Sequence, residues 1–305
     1  MSEMKATRVG YGEEISRLAE KNDKILVLDA DLSAATMTNK FAKAHPDRFI
    51  DCGIAEANMV TMAAGLASVG FIPFCSTFAV FAGRCFEQIR NGVCYPGLNV
   101  KFAFTHAGIS VGEDGATHQA IEDLALMRSL PGMTIICPCD ALEAARAVHA
   151  AAEIDGPVYL RLARLPTPIF SEGMPFTVGK ANVLREGAHA ALITCGLMVD
   201  HCMQAAELLR EQGVEVTVVN MHTVKPLDEA IVHELACKMP LFTVEEHSII
   251  GGLGDAVAAV VAEHGGRLIK VGINDCFGQS GKPSELFELY GLSAGKIAER
   301  VKTSI

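Results

Sequence analysis

A proline-dense break, Leu165-Pro166-Thr167-Pro168-Ile169-Phe170-Ser171-Glu172-Gly173-Met174-Pro175, interrupts an otherwise regular alternation of apolar runs and helix-forming stretches. No other feature restricts the possible folds as much, because alternation of this kind builds parallel α/β sheets and the break divides it into two series. Before it, strands are expected near 24–28, 71–76, 100–105, 133–137 and 158–162. Helices are expected over 11–22, 78–93, 119–129 and 141–152, with one more from about residue 53. After it, strands at 190–194, 215–220, 241–245 and 268–272 alternate with helices at 199–212, 228–238 and 254–264, and two short helices close the chain. The expected fold is α/β, with two doubly wound domains at 1–164 and 179–305 joined by a linker at 165–178.

Composition agrees with that division. A chain of 305 residues that is 50% hydrophobic can bury two cores. The net charge of -10, with no basic run, gives no footprint for nucleic acid. No apolar stretch reaches the length of a membrane span, and the first residues lack the apolar core of a signal peptide, so a cytoplasmic protein is expected. The ten cysteines mostly lie in apolar runs. Their one close pair, Cys137-Pro138-Cys139, lacks the spacing of a zinc site, so they read as buried thiols.

Charged groups stand out against this apolar background. Asp29 and Asp31 follow a strand, where an open parallel sheet gathers its ligands. Glu56 opens the otherwise small and apolar stretch 53–67; a helix-start acid that caps free N–H groups is one reading and a site acid the other. The segment Thr105-His106-Ala107-Gly108-Ile109-Ser110-Val111-Gly112-Glu113-Asp114-Gly115-Ala116-Thr117-His118 combines two histidines, two acids and three glycines. Its glycines suit close backbone approach to a ligand better than a metal site. Arg8, Arg84, Arg161 and Arg164 read either as surface charges or, for Arg164 just past a strand, as a phosphate ligand; Arg161 inside a strand needs an acidic partner. Phe78 and Phe81 are core residues by default. No Gly-x-Gly-x-x-Gly, Walker or Gly-x-Ser-x-Gly motif occurs, so nucleotide and serine-hydrolase readings lack support.

Taken together, Asp29-Ala30-Asp31-Leu32, Gly53-Ile54-Ala55-Glu56, Thr77-Phe78-Ala79-Val80-Phe81, the segment 105–118 and Val244-Glu245-Glu246-His247-Ser248-Ile249-Ile250-Gly251-Gly252-Leu253-Gly254 resemble the transketolase family over nearly the whole chain. The 105–118 segment is the most specific part, since beta-type subunits of 2-oxo-acid dehydrogenases and 1-deoxyxylulose-5-phosphate synthases share the Glu56-type acid but not this loop in full. The resemblance covers the pyrimidine-binding and C-terminal domains. It lacks the Gly-Asp-Gly and Asn motif of the diphosphate-binding domain, which implies the C-terminal subunit of a split enzyme.

The resemblance implies thiamine diphosphate as cofactor. Glu56 would hydrogen-bond the aminopyrimidine N1′ and favour its imino tautomer, and an apolar setting would favour a protonated carboxyl there. Phe81 would stack on that ring with Phe78 beside it, and Asp31 would lie near the thiazolium. Arg8, His106 and Arg164 would hold a sugar phosphate, Asp114 a substrate hydroxyl, and His118 would lie near the reacting carbonyl. Two positions depart from the pattern: Arg84 stands where an aromatic is common, and Ala35 where a serine usually joins the phosphate group. A partner subunit carrying the diphosphate-binding domain would supply magnesium or calcium, in a heterotetramer. A beta-type 2-oxo-acid dehydrogenase subunit, a deoxyxylulose-synthase-like enzyme and a non-catalytic scaffold are the competing readings. His247 and the Gly251–Gly254 turn are expected to serve packing and a subunit interface.

Overall fold

The computed structural model describes residues 4–305. Its first sheet runs Thr223–Lys225, Thr134–Ile136, Val158–Arg161, Lys101–Phe104, Ile72–Ser76, Ile25–Asp29 and Phe49–Asp51. All neighbours are parallel except the Thr223–Lys225 edge, which pairs antiparallel with Thr134–Ile136. The second sheet runs Leu268–Ile273, Leu241–Ser248, Ala190–Thr194, Val216–Asn220 and Asn182–Arg185, antiparallel only at that last edge. The central strands are buried on both faces, as the continuous apolar runs require.

The sheets share a core and one crossing strand. Thr223–Lys225 follows the second sheet's Val216–Asn220 yet completes the first sheet, and Lys225 Nζ donates to the Leu130 carbonyl at 2.6 Å. Phe102 and Leu130 belong to the same buried cluster as Ile193 and Leu253. Arg161 finds the expected acid: its Nε lies 2.8 Å from Asp123 Oδ2, and its Nη2 donates to the Glu246 carbonyl at 3.1 Å. Among the described residues no helix is long and apolar enough to cross a membrane. Cys237 and Cys276 are exposed; the other eight cysteines are buried or half-buried and all ten are free.

Several local expectations change. The first helix is Thr7–Ala19, which brings Arg8 into its first turn. The expected helix over 78–93 is a 3-10 turn, Ala79–Arg84, followed by a π-type turn, Gln88–Cys94. The cause is tertiary: Ala79 N–H donates to the Thr105 carbonyl at 2.7 Å, and Phe78 bridges to Thr105, so the chain is held against the neighbouring strand end. The helix expected from 119 starts at Asp123, because Gly108 N–H donates to the Ala120 carbonyl at 2.8 Å and holds 119–122 outside it. Part of the proline-dense segment is also regular: Pro166–Pro168 pairs antiparallel with Met4–Ala6. Proline's fixed φ suits so short a strand in a two-stranded ribbon, where every strand is an edge.

Candidate active site

Four strands of the first sheet point their carboxyl ends the same way, and the segments leaving them carry nearly every predicted side chain. Asp29 ends one strand, Thr77 and Phe78 follow Ile72–Ser76, Thr105 and His106 follow Lys101–Phe104, and Arg164 follows Val158–Arg161. Asp29 itself is structural. Its fully buried carboxylate accepts from Leu32 N–H at 2.6 Å, Thr36 Oγ1 at 2.7 Å and Thr38 Oγ1 at 2.8 Å, which shapes the loop carrying Asp31 and Ala35.

His106 is the centre of the cluster. It adopts φ of 57° and is 4% exposed. Its ring stacks on Phe78 at 3.9 Å between centroids. Arg8 Nη1 approaches Nε2 at 3.5 Å, and Thr105 Oγ1 lies 2.8 Å from Nδ1. Guanidinium only donates, so Nε2 accepts and Nδ1 carries the proton toward Thr105. Burial first, then the charges of Arg8 and Arg164, push the imidazole down to about 3, so it is neutral near pH 7. Arg8 is held by the Ala35 carbonyl, which accepts from Nη1 at 2.7 Å, while Arg8 Nε is buried without a partner. Position 35 thus contributes through its backbone, for which a serine hydroxyl is not needed. Arg164 Nη1 donates to the Val111 carbonyl at 2.7 Å and lies 3.9 Å from Asp114 Oδ2.

Phe78 and Phe81 lie parallel, 6.1 Å apart at an interplanar angle of 4°, and Phe81 meets His118 edge-on at 6.0 Å. Thr117 Oγ1 lies 2.9 Å from His118 Nδ1. The same turn that carries Phe81 ends in Arg84, whose Nε donates to Glu56 Oε2 at 3.0 Å. Glu56 is 3% exposed and begins the helix Glu56–Ser68. That helix start has no side-chain cap, so the capping reading of Glu56 fails. Its setting is not purely apolar either, since Arg84 supplies a positive charge to one oxygen. Asp31 is exposed, at φ of 62°, and makes no hydrogen bond or ion pair with the other predicted residues. Arg8, His106, Phe78, Phe81 and His118 therefore form one connected set, with Arg164 and Asp114 paired at its edge and Glu56 joined through Arg84.

Some contributors escape a reading of the sequence. Thr105, Gln119 and Glu246 orient groups in the 105–118 segment; Thr105 and Glu246 stand inside the motifs quoted above without a role assigned there, and Gln119 lies just outside them. Gln119 Nε2 donates to the carbonyls of Ile109, Gly112 and Gln279 at 3.3, 3.2 and 3.0 Å. Among the described residues no group of three His, Cys, Asp or Glu side chains could hold a metal ion.

Fold and site together define a two-unit α/β protein that gathers ligand groups beyond the ends of parallel strands. Residues 3–168 match the family described as transketolase, pyrimidine binding domain, and residues 179–297 match transketolase, C-terminal domain. A protein described as putative transketolase C-terminal section, from Methanocaldococcus jannaschii, is 48% identical over 97% of this chain and 95% of its own length. A 6-deoxy-6-sulfo-D-fructose transketolase subunit from Clostridium sp. (strain MSTE9) is 44% identical over 94% of this chain and 90% of its own. A solved structure described as split gene transketolase, inactive beta4 tetramer, superposes with a TM-score of 0.91 at 49% identity, covering 98% of both chains. The chain belongs to the transketolase family.

The family implies thiamine diphosphate, and the residues present fit its ring end. Glu56 offers a buried carboxyl whose Oε1 makes no protein hydrogen bond, and Phe81 is a half-buried ring set parallel to Phe78.

Proposed function

We propose that this chain is the C-terminal subunit of a split, thiamine-diphosphate-dependent transketolase that moves a two-carbon ketol unit between sugar phosphates. The observation that carries this reading is the convergence of Arg8 and Arg164 on a neutral His106, stacked on the same phenylalanine pair that leads to Glu56. Two fixed cations and an unpaired buried guanidinium N–H suit a tetrahedral oxyanion. A carboxyl and an aromatic face suit an aminopyrimidine.

In this reading Glu56 holds the aminopyrimidine N1′, with Arg84 fixing the other carboxylate oxygen. Phe81 stacks on the ring, Phe78 supports it and Asp31 lies toward the thiazolium. Arg8, His106 and Arg164 bind the phosphate, Asp114 takes a substrate hydroxyl, and His118 lies at the reacting carbonyl, where its imidazole can hold or pass a proton. The bound cofactor supplies the carbon nucleophile that carries the two-carbon unit. The diphosphate and its magnesium or calcium ion belong to an N-terminal partner subunit, and two copies of each chain form a heterotetramer. The names of the archaeal relative and of the split-gene structure support that division. The latter also describes its tetramer as inactive.

The test is ketol transfer and thiamine diphosphate binding by the purified chain with magnesium, alone and after adding its partner. The chain alone is expected to be inactive and the pair active; full activity from the isolated chain overturns the split-enzyme reading. The donor panel includes sulfonated as well as phosphorylated ketoses, because the Clostridium relative is named for a sulfonated sugar and a sulfonate offers the same tetrahedral oxygens.

A further inference from the structure

The loop that carries His106, Asp114 and His118 is gripped along its length by the unit built on the five-stranded sheet. Glu246, on the strand Leu241–Ser248, accepts from Ser110 N–H at 3.0 Å through Oε2 and from Ser110 Oγ at 3.0 Å through Oε1. Gly108, at φ of 80°, lies so close to the Glu246 side chain that a Cβ there would collide with it. Further on, Pro283 lies 3.2 Å from where a Cβ of Gly112 would stand, and Gly115 presses on Ser280 in the same way that Gly108 presses on Glu246. Gln119 closes the set: it is 3% exposed and its one amide nitrogen ties two carbonyls of the loop to the carbonyl of Gln279. Gly278 has no side chain, which lets the backbone at 278–279 reach that amide.

These contacts have a direction. The loop starts from the first sheet, but its middle, from Gly108 to Gly115, rests on the second unit: Ser110 bonds to Glu246, and Gly108, Gly112 and Gly115 pack on Glu246, Pro283 and Ser280. Arg164 depends on that middle, since Val111 supplies the carbonyl that holds its guanidinium and Asp114 lies beside it. Freeing the middle of the loop therefore displaces Arg164 and Asp114 while leaving Glu56 and Phe81, which are held by other segments, in place.

We infer that the C-terminal unit positions the anion-binding loop, with Gln119 and Glu246 as positioning residues that tune affinity for the phosphate end of the substrate. The inference rests on the proposed sugar-phosphate reading of Arg8, His106 and Arg164. It assigns to the C-terminal unit a part in substrate recognition, through contacts far from the reacting atoms.

The experiment uses the reconstituted two-subunit complex and the variants Gln119→Met, Ser110→Ala and Glu246→Gln. Gln119→Met keeps the volume and removes the donor. It is expected to raise KM for a phosphorylated ketose on the order of tenfold, with kcat changed little and a clearly smaller rise for an unphosphorylated donor, which loses Asp114 but has no phosphate for Arg164 to hold, since a displacement of about 1 Å suffices for such losses. Ser110→Ala gives a smaller rise of the same kind, while Glu246→Gln, which can still accept from Ser110 N–H, stays near wild type. Amide hydrogen exchange is measured in parallel and should quicken over 106–118 in Gln119→Met but not over 56–68. Wild-type KM together with wild-type exchange in Gln119→Met overturns the inference, as does an equal loss with phosphorylated and unphosphorylated donors. If the wild-type complex transfers no ketol at all, the proposed function fails instead. In that case the exchange over 106–118 decides the positioning role alone.

Discussion

The loop 105–118 and the helix that begins at Glu56 serve the same site but are finished to different degrees. The loop is enclosed: Ile109, Ser110 and Val111 are fully buried, and both α/β units contribute to its hold. The helix is covered on one side only. Ile54 just before it is 75% exposed and Val69 just after it 72%, and Met62 within it is 37% exposed, so large apolar side chains lie open near the buried carboxyl and at the helix's far end. In the proposed reading, the single chain completes the anion end of the site, whereas the ring end leaves apolar side chains for a partner to cover. The difference between a self-sufficient half and a dependent half is what a divided enzyme predicts for this subunit.

The strongest way to break that comparison is at Glu56. Glu56→Ala in the reconstituted complex is expected to lower kcat by roughly 10²-fold or more, the scale of a lost acid/base contact, without changing the melting of the chain. Unaltered turnover would remove Glu56 from the site. Arg164→Ala should weaken a phosphorylated donor by about 1.5–3 kcal/mol, seen in KM, and leave an unphosphorylated donor nearly unaffected. Equal losses with both donors would mean the loop had lost its shape.

His106 offers a comparison through pH. Its folded value, about 3, lies below the ordinary 6.5, so below pH 6.5 the unfolded chain takes up a proton that the folded site refuses. Its contribution is complete above 6.5 and is lost as the pH falls toward 3. At pH 5 the loss is about 2 kcal/mol by proton linkage. Glu143 and Glu246, each pushed up by burial to about 7, act with the opposite sign between 4.5 and 7, so total stability hides the effect. The difference between wild type and His106→Asn isolates it, and asparagine tolerates the positive φ at this position. A difference independent of pH from 7 to 5 would mean that His106 is not shielded as described. The smallest effect on the chain itself is expected at Ile54, where Ile54→Asp should alter unfolding free energy by no more than about 0.5 kcal/mol yet lower partner-dependent activity. Undiminished activity would put the partner on another face.

Much of this was legible because parallel α/β sheets write themselves in long apolar runs, and the predicted site residues sit just after those runs. The misses have physical causes. Met4–Ala6, Phe49–Asp51, Asn182–Arg185 and Thr223–Lys225 are three or four residues long, too short to show a period. Residues 78–93 have helical composition, but bonds to Thr105 outweigh local preference. Glu56 reads as a cap or as a site acid, and the structure removes only the first, since the helix start has no side-chain cap and the carboxylate bonds to Arg84. The roles of Glu246 and Gln119 are not legible because they lie in partners distant along the chain.

The strand Thr223–Lys225 has a consequence for how the chain is made. While the first part of the polypeptide leaves the ribosome, the sheet that carries the site has Thr134–Ile136 as an open edge, its backbone groups free to pair with any extended neighbour. That edge closes only after residue 225 has been synthesised, so the nascent first unit spends the intervening time as a template for association. A fragment ending at residue 178 is accordingly expected to form larger and less uniform assemblies than the whole chain, and light scattering on the two at equal concentration would show it. A monodisperse fragment would mean that the edge is protected some other way.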